Sequence, residues 1–306
     1  VAVVGVGYVG SQHARILSSL AGAELVATVD IDEGSAIKAA RGTSAKAETD
    51  VAALKGRVDA VIVAVPTKNH LEVSRPLLNA GIPVLVEKPM ASNLAEADEM
   101  LALAEHSGTC LAVGHTERFN PALTTTLPLV DKPRFIEVHR LGAHTSRSLD
   151  IDVVFDVMIH DLDVILNVLN SDVVSIEAVG VPILSDHIDI ANARIQFESG
   201  CVVNLTASRI SRERVRKIRF FQSGSYLSVD YVKQRAEHWR LLVDEKGEST
   251  IEGGPIEVTG GEPLERELAD FVLAVRDKRN PVVSGAEGRR ALALAEQITK
   301  RITDYV

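Results

Sequence analysis

The first thirty residues, VAVVGVGYVGSQHARILSSLAGAELVATVD, leave few folds open. An apolar run, VAVVGV, meets glycines at Gly5, Gly7 and Gly10 and passes straight into a helical stretch expected to close near Gly22. A second apolar run, ELVATVD, ends on Asp30. Glycines at this spacing serve a tight turn, close approach of backbone to a pyrophosphate, and helix–strand packing. The helix N-terminus then offers N–H groups and the positive end of its dipole to an anion. A lone G-x-G-x-x-G is weak. Inside a strand–helix–strand unit, with an acid twenty residues after Gly10, it specifies a dinucleotide site.

The expected cradle is Gly5, Gly7, Tyr8, Val9, Gly10, Asp30 and Ile31. Asp30 is placed to accept from the adenosine ribose hydroxyls, and its charge opposes a 2′-phosphate. No arginine follows it immediately, and Arg41 is a weak basic candidate, so NAD is expected in preference to NADP.

Strands and helices keep alternating to about residue 118. AVIVAV, IPVLVEKP and CLAVGH are continuous apolar runs, the pattern of a parallel sheet covered on both faces. Asp50 reads as the cap of VAALKG, and Asn93 with Glu96 as a capping box. Together these predict a doubly wound α/β domain of the Rossmann type over residues 1–118. Ligands of such sheets lie beyond the carboxyl ends of the strands. Polar residues cluster at those ends: Pro66, Thr67, Lys68, Asn69 and His70; Glu87 and Lys88; His115, Thr116, Glu117 and Arg118. A lysine there is a candidate for polarising a substrate hydroxyl.

After residue 118 strand-like runs follow closely, broken by turns at Gly200, Gly224 and Gly247. Asn192, Arg194 and Gln196 alternate with Ala193, Ile195 and Phe197, which predicts one packed face and one polar face. Residues 119–306 therefore read as an α+β domain on a largely antiparallel, open sheet, ending in two helical stretches.

One helix in this half stands out. VVFDVMIHDLDVILNVL is apolar around most of its circumference, yet Asp156, His160, Asp163 and Asn167 share one stripe. Either the stripe faces water, or a buried helix aims Asp156 and His160 into a site. Asp161 points elsewhere. A metal set of His160, Asp161 and Asp163 is disfavoured, because adjacent helical residues diverge by ~100°.

The net charge of −9 argues against a nucleic-acid partner. A basic island, RISRERVRKIR at 209–219, runs against that charge. It suits either an anionic small molecule or cross-strand pairing with carboxylates. No run approaches the ~18 apolar residues of a membrane span, so no membrane partner is expected. Cys110 and Cys201 lie in apolar runs and read as buried thiols of a reducing, cytoplasmic compartment.

The motifs VGVGYVG, AVPTKNH, VLVEKP, GHTERFNP, FDVMIHDLD and ELADFVLAVRDKRNPVVSGAEGRRAL, in this order, resemble the glucose–fructose oxidoreductase and inositol dehydrogenase family across nearly the whole chain. The resemblance implies a dehydrogenase with Lys88 and His160 as the catalytic pair, Asp156 assisting, and a cis Lys88–Pro89 bond. It also implies a substrate-side C-terminal sheet that carries the contacts of a homodimer or homotetramer. HRLGAHTSRSLDIDVVFDVMIHDLD is most similar to a branch that oxidises the 3-hydroxyl of UDP-N-acetylglucosamine. For such a substrate, Lys88, His115, Arg118, Asn120, Arg147 and Arg209 are the expected contacts. Inositol or free-sugar dehydrogenation, and a redox-neutral NAD-dependent glycosidase, remain alternatives on the same fold.

Overall fold

A computed structural model of the chain describes residues 1–143 and 151–303. Arg147 lies outside the described residues. The chain divides into two compact units, one of residues 1–116 with 262–292 and one of residues 117–261 with 293–306.

The first unit is a parallel sheet of six strands in the order β3-β2-β1-β4-β5-β6. Its elements are β1 (Ala2–Val4), α1 (Tyr8–Leu17), β2 (Ala27–Val29), α2 (Glu33–Ala40), β3 (Lys46–Glu48), β4 (Val61–Val63), α3 (His70–Asn79), β5 (Val84–Glu87), α4 (Leu94–Ser107) and β6 (Leu111–Gly114). The central strands are buried throughout, as their unbroken apolar runs predict. Asp50 accepts from the Ala52 N–H, and Asn93 accepts from the Glu96 N–H. Helix α1 stops at Leu17, earlier than expected, and Gly22 instead serves a turn at φ +84°.

The second unit holds α5 (Pro121–Thr126), β7 (Phe135–Leu141), α6 (Ile159–Leu169), β8 (Val173–Val181), β9 (Ile190–Phe197), β10 (Val202–Ser208), β11 (Val215–Gln222), β12 (Ser225–Asp230), β13 (Arg235–Val243) and β14 (Ser249–Ile256). Eight strands form one sheet in the order β14-β13-β12-β11-β7-β10-β9-β8. All its pairs are antiparallel except β7 with β10. On β9, Ala193, Ile195 and Phe197 are buried while Asn192, Arg194 and Gln196 are exposed, as the alternation predicts. The β13–β14 hairpin has no such legible pattern. Gly253 there sits at φ +149°, and a Cβ would lie 2.0 Å from the His238 carbonyl oxygen.

The single boundary expected at residue 118 does not describe the molecule. The segment 262–292 returns to the first unit. Leu268 and Phe271 of α7 (Pro263–Asp277) enter the same core as Val3, Ile16 and Leu17. The start of α8 (Gly285–Thr303) lies so close to β6 that a Cβ on Gly288 would be 2.4 Å from Val113 Cγ2. An amphipathic helix shows which face it buries, but not which sheet it buries it on.

Candidate active site

The glycine turn is built as its sequence requires. Gly5 adopts φ +80°, and a Cβ on Gly10 would fall 1.8 Å from the Gly5 carbonyl oxygen. A Cβ on Gly7, by contrast, would meet nothing within 4 Å. Gly7 caps α1, so Tyr8, Val9 and Gly10 form its first turn, where backbone N–H groups and dipole favour an anion. These residues fit a dinucleotide: tight packing behind the turn, open space in front.

Asp30 ends β2 and is anchored from both sides. Its Oδ2 accepts from the Val6 N–H at 2.8 Å and its Oδ1 from the Asp32 N–H at 3.0 Å. The carboxylate therefore also ties the glycine turn to the neighbouring strand end. Asp32 caps α2, and its bonds from Ser35 and Gly34 hold its carboxyl below the ordinary range. Two carboxylates thus flank the fully exposed Ile31.

Beyond β4, Pro66 precedes a short 3₁₀ turn over Thr67–Asn69. His70 does not join an open cradle as expected. Its ring is buried, with Nδ1 3.0 Å from the Pro89 carbonyl and Nε2 2.9 Å from that of Val65. Burial lowers its pKa, and a neutral imidazole can donate to only one carbonyl at a time. His70 braces two strand-end loops, those carrying Pro66 and Lys88.

At the end of β5, the Lys88–Pro89 bond is cis. Glu87 Oε1 lies 2.7 Å from His13 Nε2, and its Oε2 accepts from the Lys88 N–H at 3.2 Å. Burial alone would raise the Glu87 carboxyl, but His13 and Lys88 bring it below its ordinary value. The strand end before the lysine therefore carries a fixed negative charge. A Cβ on Gly114 would sit 3.1 Å from that carboxylate, so a glycine on β6 makes room for it. His115 follows, fully buried.

The second unit positions Asp156 and His160. Residues 154–158 make one π-helical turn that runs directly into α6. Such insertions recur at functional sites. Asp156 and His160 are half-buried, while Asp161 and Asp163 are buried. The stripe is therefore not a water-facing surface, although Asn167 at its far end is exposed. Asp161 receives two bonds from Arg140, Nε at 2.5 Å and Nη2 at 2.9 Å. Asp163 faces Arg118 Nη1 at 3.4 Å.

Several expected substrate contacts are spent inside this unit. Asn120 caps α5 and donates to the Tyr231 carbonyl and to Glu117. Arg209 is buried: its Nε donates to Asp189 at 2.7 Å, Nη1 to the Ile151 carbonyl at 2.7 Å and Nη2 to Ser185 at 3.1 Å. In the rest of the basic island, Arg216 pairs with Glu117, Lys217 with Asp230 and Arg219 with Glu137. Much of that island is thus consumed by carboxylates of its own unit. Arg212 and Arg214, on the turn after β10, are exposed. Sequence reasoning missed Arg140 and His13 altogether. For Arg140, the signal available was the surplus Asp161 in an apolar helix.

Residues 1–115 match the oxidoreductase family with an NAD-binding Rossmann fold, and residues 132–226 match the GFO/IDH/MocA C-terminal domain. UDP-N-acetylglucosamine 3-dehydrogenase of Acidithiobacillus ferrooxidans is 34% identical over 99% of this chain and 97% of that protein. The chain belongs to the GFO/IDH/MocA family. A crystal structure of that Acidithiobacillus enzyme superposes with a TM-score of 0.92, at 32% identity, covering 99% of this chain and 97% of the other. A second relative, scyllo-inositol 2-dehydrogenase of Bacillus subtilis, is 28% identical over 92% of this chain and 88% of its own. This GFO/IDH/MocA protein is accordingly a nicotinamide-dependent oxidoreductase. Among its described residues, no helix is long and apolar enough to cross a membrane.

Proposed function

We propose that this protein oxidises a secondary hydroxyl of a nucleotide sugar, the 3-hydroxyl of UDP-N-acetylglucosamine, with NAD. The match to a UDP-N-acetylglucosamine 3-dehydrogenase over essentially the full length of both proteins carries this reading. A nicotinamide dinucleotide, held by Gly5–Gly10, Asp30, the Pro66–Asn69 turn and Glu87, supplies the hydride acceptor when bound. His160 takes the proton of the reacting hydroxyl, a role suited to imidazole near neutral pH. Asp156, in the π turn that leads directly into α6, orients that imidazole. Lys88, at the end of β5, is the cation proposed to stabilise the developing negative charge of the alkoxide.

Asp30 and Asp32 support NAD over NADP, since a 2′-phosphate beside two carboxylates is repelled. For the substrate diphosphate, the exposed Arg212 and Arg214 replace Arg209 as the arginines of choice. Their turn is tied to Gly142, whose carbonyl accepts from the Ser211 N–H at 2.9 Å. Arg118 and Asn120 support the site from behind rather than touch the sugar. The free thiols Cys110 and Cys201, each pushed up to about 11 by burial, suit a reducing cytoplasm. A homo-oligomer is part of the same reading, with Val174, Val179 and Val181 exposed along the edge strand β8.

The test is to follow NADH while purified protein meets NAD with UDP-sugars, inositols and free hexoses in parallel. Turnover of UDP-N-acetylglucosamine is expected. Reduction of NAD by an inositol, with every UDP-sugar inert, would overturn the substrate assignment. Release of sugar without net NADH would point to the glycosidase chemistry instead.

A further inference from the structure

The helix that carries His160 is held by more charge than an acid–base pair needs. Asp161 is only 1% exposed and lies one residue from His160, turned ~100° away from it around α6. Its partner Arg140 stands on β7, also buried, and grips both carboxylate oxygens in a fork. The third arm of that guanidinium, Nη1, donates to Glu117 Oε1 at 2.9 Å. Its plane lies over the Tyr231 ring, 5.3 Å from the centroid. Burial alone would lower the Arg140 pKa, but Asp161 and Glu117 more than offset it and the net shift is upward. Arg140 therefore stays charged.

The sheet register makes this arrangement unusual. Arg140 lies directly opposite Arg216 of β11, two cations face to face. Like charges directly opposite on a sheet are destabilising. Glu117 answers both, at 2.9 Å from Arg140 and 3.6 Å from Arg216, and Asp161 completes the balance. A buried network of this kind is not the cheapest way to hold a helix, since apolar packing of equal volume is often as stable. A bidentate fork does what apolar packing does not: it sets rotation about the helix axis.

A second observation points the same way. The segment leading into α6 is pinned at its start as well. Arg209 donates to the Ile151 carbonyl at 2.7 Å, Asp152 accepts from the Ile188 N–H at 2.8 Å, and Val153 N–H donates to the Ile188 carbonyl at 2.8 Å. Between this pin and the Arg140 fork lies the π turn at 154–158, which contains Asp156. A π turn inserts one residue into a helix and shifts the face on which later residues emerge. With both ends held, the turn cannot relax by rotating α6.

We propose that Arg140 is a positioning residue for the reaction: its fork on Asp161 fixes the rotation of α6 and so aims His160 at the substrate hydroxyl. This rests on the reading of His160 as the proton acceptor. An imidazole tip ~6 Å from the helix axis moves by about 1 Å for a rotation of ~10°. Misplacement of that size can cost ~10²-fold in rate.

Two variants keep the charges and disturb the geometry. Arg140→Lys replaces the fork by a single ammonium, and Asp161→Glu keeps the pair but adds a methylene between helix and sheet. In each folded variant kcat should fall by at least about tenfold, while KM and NAD affinity change by less than about threefold. Introduced on a His160→Gln background, either change should have no further effect on kcat, because Arg140 acts through the imidazole. A merely structural pair would lower Tm and leave the kcat of folded protein at the wild-type level. Full kcat in either folded variant overturns the proposal, as does an additive loss on the His160→Gln background. If His160→Gln itself keeps normal turnover, the underlying assignment of the base is wrong. If no sugar is oxidised by the wild-type protein, the proposed function is wrong. Both outcomes are distinct from failure of the Arg140 inference.

Discussion

Arg209→Ala separates a phosphate ligand from a strut. The guanidinium is 6% exposed and its partner Asp189 is fully buried. Breaking a buried ion pair from one side costs roughly 3–5 kcal/mol, because the remaining charge is left uncompensated. Here the remaining charge is not abandoned. Asp189 Oδ2 keeps the N–H groups of Ile183, Leu184 and Ser185 at 2.7, 2.6 and 3.1 Å, and Oδ1 keeps the Ser185 hydroxyl at 3.1 Å. The loss should therefore sit at the lower end, about 3 kcal/mol. At ~2–4 °C per kcal/mol for a chain of this order, Tm should fall by roughly 6–12 °C. Differential scanning calorimetry reads this directly, with the KM for UDP-N-acetylglucosamine measured below the transition. KM should change little, while kcat falls because the Ile151 carbonyl loses its anchor at the entry to α6. The salt dependence of KM should also be unchanged, since a buried guanidinium is poorly screened. An unaltered Tm together with a KM raised tenfold or more, about 1.4 kcal/mol, would show that Arg209 meets substrate phosphate and would refute this reasoning.

Truncating Arg214 should do the opposite, raising KM for the UDP-sugar at nearly constant Tm; an unchanged KM in steady-state kinetics would remove it from the diphosphate site. Lys88→Ala and His160→Ala should each lower kcat by ~10²–10⁴-fold with NAD affinity preserved, and near-normal turnover of saturating substrate by either would exclude it from proton transfer. Asp30→Ala should narrow the preference for NAD over NADP, as read by fluorescence titration with the reduced cofactors; tighter NADP binding by the unaltered protein would contradict it. Burial alone would raise the Asp189 carboxyl, but Leu184, Ile183 and Arg209 hold it well below the carboxylate range. A depressed folded pKa stabilises above the unfolded value of about 3.9 and that contribution is lost as pH falls through the folded pKa. Urea denaturation should therefore show stability dropping below about pH 4, with Asp189→Asn flattening that slope.

The dinucleotide half was legible because its requirements are local. Gly10 is dictated by the Gly5 carbonyl five residues away, Gly5 by its own φ of +80°, and Asp30 by the length of one strand–helix–strand unit; that Ala64 and Val65 also crowd Gly5 only the sheet reveals. The unbroken apolar strands announced a sheet covered on both faces, and the alternation in β9 announced one that is not. The stripe of Asp156, His160 and Asp163 was legible only as a choice between a water-facing surface and a buried helix, and the burial of Asp163 favours the second. The same composition misread Arg209, His70 and Asn120 as ligand contacts. Each is a polar residue at a plausible strand end, and each is satisfied by a group that sequence distance conceals. Asp189 lies twenty residues from Arg209, Pro89 nineteen from His70, and the Tyr231 carbonyl 111 from Asn120.

By itself the sequence determined which glycines the dinucleotide turn needs, which runs must be buried, and which chemical groups were available for catalysis. The tertiary structure alone decided how the charges are partnered. Strand order puts Arg140 of β7 beneath α6 and opposite Arg216 of β11, and that order is set by the packing of whole sheets rather than by any local propensity. The return of residues 262–292 to the first unit has the same origin. A helix or a guanidinium records in sequence what it needs to bury or to pair. Only the fold, by bringing distant segments within bonding range, selects which partner answers.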